Sequence, residues 1–231
     1  MESNVSKEAA MELIHLRRSI RNYTDTPVSE EDLRTILEAG RQAPSGENYQ
    51  PWRFTIVRDK QNKDFLSMSG KAGSGRRFTG DLLSKNIMER FAKLEDPVKR
   101  AKAFKKLTSG DVSAFVNQAD VIILISGRLD VWDAPYDTSA AIENMCLAAT
   151  SLGLGTCWVG ATTLDVRDER RINEYFGIPA GYKTFGILSV GEPARYPHAR
   201  PRHPLSEIVY RERFGVPYYD KETDENGKKE A

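Results

Sequence analysis

Apolar positions along the chain fall into two alternating periods, and the alternation predicts the elements. In "SEEDLRTILEAGRQAP", Leu33, Ile36 and Leu37 share one helical face behind Ser29 as N-cap, with Asp32 three residues on and Pro44 ending the run. "PWRFTIVRD" reads as a strand entered through Pro51, and "DVIILIS" from Asp120, lacking polar alternation, as a strand buried on both faces. Thr138 to Gly153, rich in Ala and closed by glycine, predicts a helix covered on most sides. "TCWV" and "KTFGILSVG" supply two more short strands, separated by an amphipathic helix around Arg167 to Phe176. The pattern gives an α+β or α/β domain with a central sheet covered by helices, spanning residues 1–218. From Tyr219, "YDKETDENGKKEA" has no apolar period and reads as a disordered tail.

The stretch from Gly70 to Ser113 breaks this rhythm. It opens rich in glycine and continues as a basic helical segment interrupted at Pro97, with eight Lys or Arg against three acids between Lys85 and Lys106. It reads as an insertion between the first strand and "DVIILIS", a lid able to cap a site. As a nucleic-acid contact it lacks regularly spaced aromatic residues on which bases stack, so an exposed lid helix is the better reading.

Composition narrows the classes. The 231 residues are enough for one substantial core. Charged residues, 29% of the chain, balance to a net +1, against the basic excess of a nucleic-acid or membrane-surface binder. Cys146 and Cys157 form no CxxC or metal-ligand spacing, so a reducing, cytoplasmic compartment is expected. "MESNVSKEAAMELIHL" has no apolar core of a secretory signal, and no apolar run approaches the roughly 20 residues that span a bilayer. A soluble protein is expected.

Candidate chemistry lies in four stretches. "RRSIRNYTD" sets Arg17, Arg18 and Arg21 around Ser19. Guanidinium forks donate paired hydrogen bonds to phosphate oxygens, although a helix C-terminus also favours cations. In "APSGENYQPW", Pro44 and Gly46 break the preceding helix and leave Ser45, Asn48 and Gln50 to face one ligand edge, or to serve as ordinary turn residues. "GLGTCWVG" places glycines at 153, 155 and 160, where backbone can approach a ligand, but its helix-then-strand order reverses the dinucleotide fingerprint. Gly153 or Gly155 serves equally well as a helix C-cap. In "HARPRHPLSEIV", prolines 197, 201 and 204 hold Arg200 and Arg202 on extended chain. No Ser/His/Asp or Cys/His arrangement is present; His15, His198 and His203 read as solvated or structural, and Cys157 as a packing residue.

The order and spacing of "RRSIRNYTDTPVSEEDL", "APSGENYQPWRF", "ENMCLAATSLGLGTCWVG", "GYKTFGILSVGEP" and "RPRHPLSEIVY" resemble the nitroreductase family of FMN-dependent oxidoreductases. The likeness runs from about Leu13 to Tyr210 and is weakest over residues 70–115. It implies a three-layer α/β/α sandwich around a mixed, mostly antiparallel sheet, in an intertwined homodimer with FMN at the interface. Arg17, Arg18 and Ser19 would hold the FMN phosphate together with Arg200 and Arg202, and Arg21 would stand near the pyrimidine edge of the flavin. Pro44, Ser45, Gly46, Asn48 and Gln50 match the loop that meets the ribityl chain and ring, offered by one chain to a flavin held mainly by the other. Cys157, Trp158, Val159 and Gly160 match the stretch against the ring, with the Gly160 N–H reaching flavin N5, and residues after Val209 match an arm on the partner. NADH or NADPH would donate hydride, passed to a small oxidised acceptor such as a nitroaromatic, quinone or enone.

Two branches of that family are also in view. "PSGENYQPW" is similar to a loop of iodotyrosine deiodinases, whose lid uses a tyrosine, and residues 51–135 contain none. The branch that fragments FMN finds no matching residue. From another class, a flavin-binding regulatory protein would contact nucleic acid through Lys85 to Lys106.

Overall fold

The computed structural model describes residues 6–81, 89 and 91–219, so Lys85 and Arg90 of the basic stretch and all but the first residue of the expected tail lie outside the described residues. In chain order the elements are α1 (Lys7–Leu16), α2 (Glu30–Arg41), a 3-10 turn (Gly46–Asn48), β1 (Trp52–Val57) and α3 (Lys60–Asp81). There follow α4 (Pro97–Thr108), a longer 3-10 segment (Asp111–Gln118), β2 (Val121–Arg128), α5 (Ala134–Ser151), β3 (Gly155–Val159), α6 (Val166–Tyr175), β4 (Tyr182–Gly191) and α7 (Leu205–Ile208). Residues to Tyr196 form one compact unit and those from Pro197 a second. Within the second, Tyr210 bridges to Pro217 and its ring lies 4.6 Å from that of Phe214.

The sheet runs β1-β2-β4-β3, and every strand pair is antiparallel. An isolated parallel bridge joins Ser19 to Thr156 outside the named strands, so the four strands themselves form an antiparallel rather than a mixed sheet. β2 shows why its sequence lacks polar alternation. Val121, Ile123 and Ile125 face Leu33 and Ile36 of α2 and Ile142 and Met145 of α5. Ile122 and Leu124 face Leu66 of α3, Val116 and Ile172 of α6. Helices therefore cover both faces, giving the three-layer α+β sandwich.

The punctuation acts as predicted at α2, where Ser29 Oγ accepts the Asp32 N–H at 3.0 Å and donates to the Asp32 carboxylate at 2.7 Å. Such a cap is worth about 1 kcal/mol. α5 starts at Ala134, four residues before the predicted Thr138, because Pro135 fits the first helical turn, where no N–H is needed. It ends at Ser151, and Gly153 just beyond, with a φ of 76°, lets Leu154 N–H reach the Ala149 carbonyl at 2.8 Å.

The glycine-rich entry at 70–75 lies within α3, which runs straight through it. A Cβ at Gly70 would lie 3.1 Å from Thr162 Cγ2, one at Gly75 3.0 Å from the Thr108 carbonyl oxygen, and one at Gly73 would overlap the Ala161 carbonyl. These glycines cost about 1 kcal/mol each in helix propensity and are there so that backbone can approach backbone. Pro97, expected as an interruption, opens α4, with Asp96 accepting from Val98 N–H at 2.8 Å and Lys99 N–H at 3.2 Å. Among the described residues no helix is long and apolar enough to cross a membrane.

Candidate functional site

β3 lies at the edge of the sheet, and the segment after α1 runs beside it. α1 stops at Leu16 with Arg17 as its C-cap, and Ile20 then donates its N–H to the Thr156 carbonyl at 2.8 Å. Tyr23 pins the other end of this segment: its hydroxyl donates to the Ile20 carbonyl at 2.8 Å and shares a 2.8 Å hydrogen bond with Ser189 Oγ on β4. Burial pushes the Tyr23 phenol well above the usual tyrosine range.

Two clefts flank this edge. The larger, about 440 Å³, is lined by Arg17, Ser19, Glu143, Cys146, Thr156, Trp158, Gly160, Leu164 and Phe185. The smaller, about 160 Å³, has Arg21, Ser74, Ser113, Phe115 and Cys157 among its walls. Trp158 and Gly160 line both. The Trp158 indole lies across β4 at Gly186, where a Cβ would come within 2.5 Å of Nε1. Gly160 faces open space: nothing lies within 4 Å of where its Cβ would stand.

The arginines that sit together in the sequence separate in space. Arg17 enters the larger cleft, its Nε 3.2 Å from Glu143 Oε1. Arg18 folds back, donating to the carbonyls of His15 and Arg17, so its guanidinium serves the α1 C-terminus. Arg21 enters the smaller cleft, donates to the Ser19 carbonyl at 3.3 Å and lies 5.8 Å from the Phe115 ring centroid. Arg17, Ser19, Trp158 and Gly160 are thus brought together, with Cys157 and Val159 on the buried side of the strand.

Pro44, Ser45, Gly46, Asn48 and Gln50 line neither cleft. Their loop closes on itself: Gln50 N–H donates to Ser45 Oγ at 3.1 Å and Gln50 Nε2 to Asn48 Oδ1 at 3.1 Å. Glu47, Asn48 and Gln50 hold φ of 48°, 58° and 47°, left-handed values that cost non-glycine residues about 1 kcal/mol or more each. The loop is tied to α5 by Gly46 N–H, which donates to Asp137 Oδ1 at 3.2 Å, while the other oxygen of this buried carboxylate has no hydrogen-bond partner among the described residues. Arg200 and Arg202 are exposed on irregular chain in the second unit. There His203 Nδ1 pairs with Glu207 at 2.9 Å.

Neither thiol is set up as a nucleophile. Burial pushes the Cys146 thiol up to about 11 and raises that of Cys157. Among the described residues no cluster of His, Cys, Asp and Glu has the arrangement to hold a metal ion. Sequence reasoning missed Tyr23, Glu143, Cys146 and Phe185. Glu143 left one signal: it is the single charge in the helical stretch from Thr138 to Gly153.

Comparison with known proteins accounts for this architecture. An Archaeoglobus fulgidus protein named "Putative NADH dehydrogenase/NAD(P)H nitroreductase" is 32% identical over 186 residues, covering 80% of this chain and 86% of its own. A solved nitroreductase of Bacteroides fragilis with bound FMN matches with a TM-score of 0.59 at 28% identity, over 89% of this chain and 98% of that one. An FMN-dependent nitroreductase of Clostridium difficile matches with a TM-score of 0.65 at 25% identity, over 88% and 99%. Residues 14–192, which carry the whole sheet and both clefts, match the sequence model of the Nitroreductase family, and the chain belongs to that family.

Proposed function

We propose that this protein is an FMN-dependent NAD(P)H oxidoreductase that holds the flavin along the β3 edge. The observation that carries the reading is that Arg17 and Ser19 line one cleft with Gly160, about 140 residues further along the sequence.

The residues fit the group chemically. A phosphate needs fixed donors and positive charge, and Arg17 with Ser19 supplies both at one end of the cleft. Glu143 competes for Arg17, but half-exposed ion pairs contribute at most about 1 kcal/mol. Charge-assisted hydrogen bonds to an arriving dianion contribute about 1.5–3 kcal/mol each, so the phosphate wins. A planar ring needs a flat wall and close backbone, which open-faced Gly160 and the indole of Trp158 provide.

When bound, the flavin supplies an atom that accepts hydride from NADH or NADPH and passes it on, which is why the chain needs no nucleophile of its own. The chain's part is placement. Arg17 and Ser19 would hold the phosphate, the Gly160 N–H would serve the reactive side of the ring, and Arg21 would supply a cation that offsets negative charge gained on reduction. Cys157 and Val159 back the strand from the core. The acceptor is a small oxidised molecule such as a nitroaromatic, quinone or enone.

A homodimer completes the site. The 44–50 loop is ordered by internal bonds yet stands outside both clefts of its own chain. α1 buries none of its residues and exposes Met11, Ile14 and Leu16. A second copy would cover that face and bring its loop to this cleft.

The deciding experiment is the visible spectrum of the purified protein, followed by anaerobic titration with each nicotinamide. Flavin absorption that bleaches on adding NADH or NADPH is expected. A colourless protein that stays so after incubation with excess FMN would falsify the reading.

A further inference from the structure

At Gly73, helix α3 meets the backbone of the turn after β3 directly. A Cβ on Gly73 would overlap the Ala161 carbonyl oxygen, and one on Gly70 would press on Thr162. Gly160 opens that turn, its carbonyl accepting from Thr163 N–H at 3.0 Å and Leu164 N–H at 3.1 Å, while Thr162 Oγ1 donates back to the Val159 carbonyl at 3.2 Å. The far end of the turn is fixed to the same helix: Arg76 donates to Asp168, whose side chain is 4% exposed, and lies 3.4 Å from Asp165, the N-cap of α6.

α3 is the rigid partner in this contact. Leu66 is fully buried, Ser67 Oγ donates to the Ala114 carbonyl at 2.9 Å, and Ser74 and Ser113 share a buried 2.5 Å hydrogen bond. The turn is held by its few local bonds and by the Arg76 pairs at its far end. Any change in the spacing between the two is therefore taken up by the turn, and so by Gly160.

We propose that Gly73 and Arg76, neither of which lines a cleft, are positioning residues that set the Gly160 amide from behind. Gly73 fixes how far the turn can retreat, and the Arg76–Asp168 pair fixes its far end. The inference rests on the FMN reading and adds to it: a segment distant in sequence tunes the amide that faces the reactive atom. An amide displaced by a fraction of an ångström alters both the redox preference of the bound flavin and the rate of hydride arrival, without loosening the phosphate anchor at Arg17.

The test compares purified wild-type, Gly73→Ala and Asp168→Asn proteins, each loaded with FMN. Three quantities are read: the FMN dissociation constant, the midpoint potential by dye equilibration, and the single-turnover rate of reduction by NADH or NADPH, whichever reduces the wild type. Both variants are expected to shift the potential and slow reduction about tenfold, while the dissociation constant stays within about threefold of wild type. Unchanged potential and rate in both variants overturn the proposal, as does an FMN affinity that falls in step with the rate. Should Gly73→Ala not fold, Asp168→Asn adds no volume and carries the same comparison. A wild type that binds no FMN removes the underlying reading and this inference with it, whereas FMN-bound wild type with indifferent variants removes the inference alone.

Discussion

Ile20 donates its backbone N–H to the Thr156 carbonyl at 2.8 Å, laying the arginine-bearing segment against the edge strand as a short parallel neighbour. This contact places Ser19 in the larger cleft, and Arg17, two residues earlier, follows it there. The edge of a sheet is an unpaired row of donors and acceptors, and here it serves as the rail on which a binding site is assembled.

Arg17 and Arg18 are neighbours in sequence but not in role. Arg17→Ala removes the charge-assisted donor from the cleft and is expected to weaken FMN binding about 10–100-fold. Arg18→Ala removes a guanidinium engaged with α1 carbonyls and is expected to change the affinity less than about threefold. Fluorescence titration of both apoproteins with FMN checks this. Equal losses would mean that Arg18 swings into the cleft when the anion arrives.

Gly155 tests the rail itself. A Cβ there would stand 2.6 Å from Ile20 Cγ1 and 2.8 Å from Ile20 Cβ, against a side chain 1% exposed. Gly155→Ala must push Ile20 off the strand, at a cost of about 1–3 kcal/mol. The thermal midpoint is expected to fall, and FMN affinity with it, since Ser19 moves with Ile20. A variant as stable as wild type, with unchanged affinity, would show that the segment is not held by this contact.

The elements were legible wherever a local pattern decides the outcome. Ser29 acts through the first helical turn, Gly153 through its own φ, and the unbroken apolar run of β2 through having both faces covered. What was not legible depends on distant partners. Gly70, Gly73 and Gly75 read only as a glycine-rich entry, because nothing in the local sequence announces that Thr162, Ala161 and Thr108 will press against them. Adjacency in sequence also does not reveal that Arg18 turns back onto the carbonyls of His15 and Arg17 while Arg17 enters the cleft. The family motifs located Gly160 and Ser19, but Glu143 and Phe185 come to the cleft only through the packing of α5 and β4.

Asp120 joins three elements at one oxygen. Its Oδ2 accepts the Val28 N–H at 2.9 Å and Arg58 Nη1 at 2.5 Å, and Arg58 Nη2 donates in turn to the Val28 carbonyl at 3.0 Å. Asp120→Ala leaves the buried Val28 N–H and the Arg58 Nη1 without their acceptor, while Arg58 Nη2 keeps Glu30 and the Val28 carbonyl, a loss of about 2–3 kcal/mol. Asp120→Asn retains an acceptor for Val28 and is expected to lose about half as much. Urea midpoints with unchanged slopes check the ranking. Equal losses would assign the whole effect to the charge on Arg58.

Cys146 sets a pH dependence whose sign follows from burial. Its thiol, ordinarily near 9.0, is pushed up to about 11 because the thiolate is penalised in the core. A raised folded value means the unfolded chain loses this proton first. The contribution is therefore complete below pH 9.0 and disappears as pH rises toward about 11, amounting to on the order of 2–3 kcal/mol over that window. Cys157 and Tyr23 are shifted in the same direction by the same cause, so the wild type should lose stability steadily in alkali. Cys146→Ala costs some packing at every pH, so its signature is not a lower plateau but a shallower decline between pH 9 and 11. Urea midpoints of both proteins at pH 8, 9, 10 and 11 measure the two slopes. Parallel declines would mean that the Cys146 thiol is solvated enough to ionise as it does in the unfolded chain, and that Tyr23 and Cys157 account for the alkaline loss by themselves.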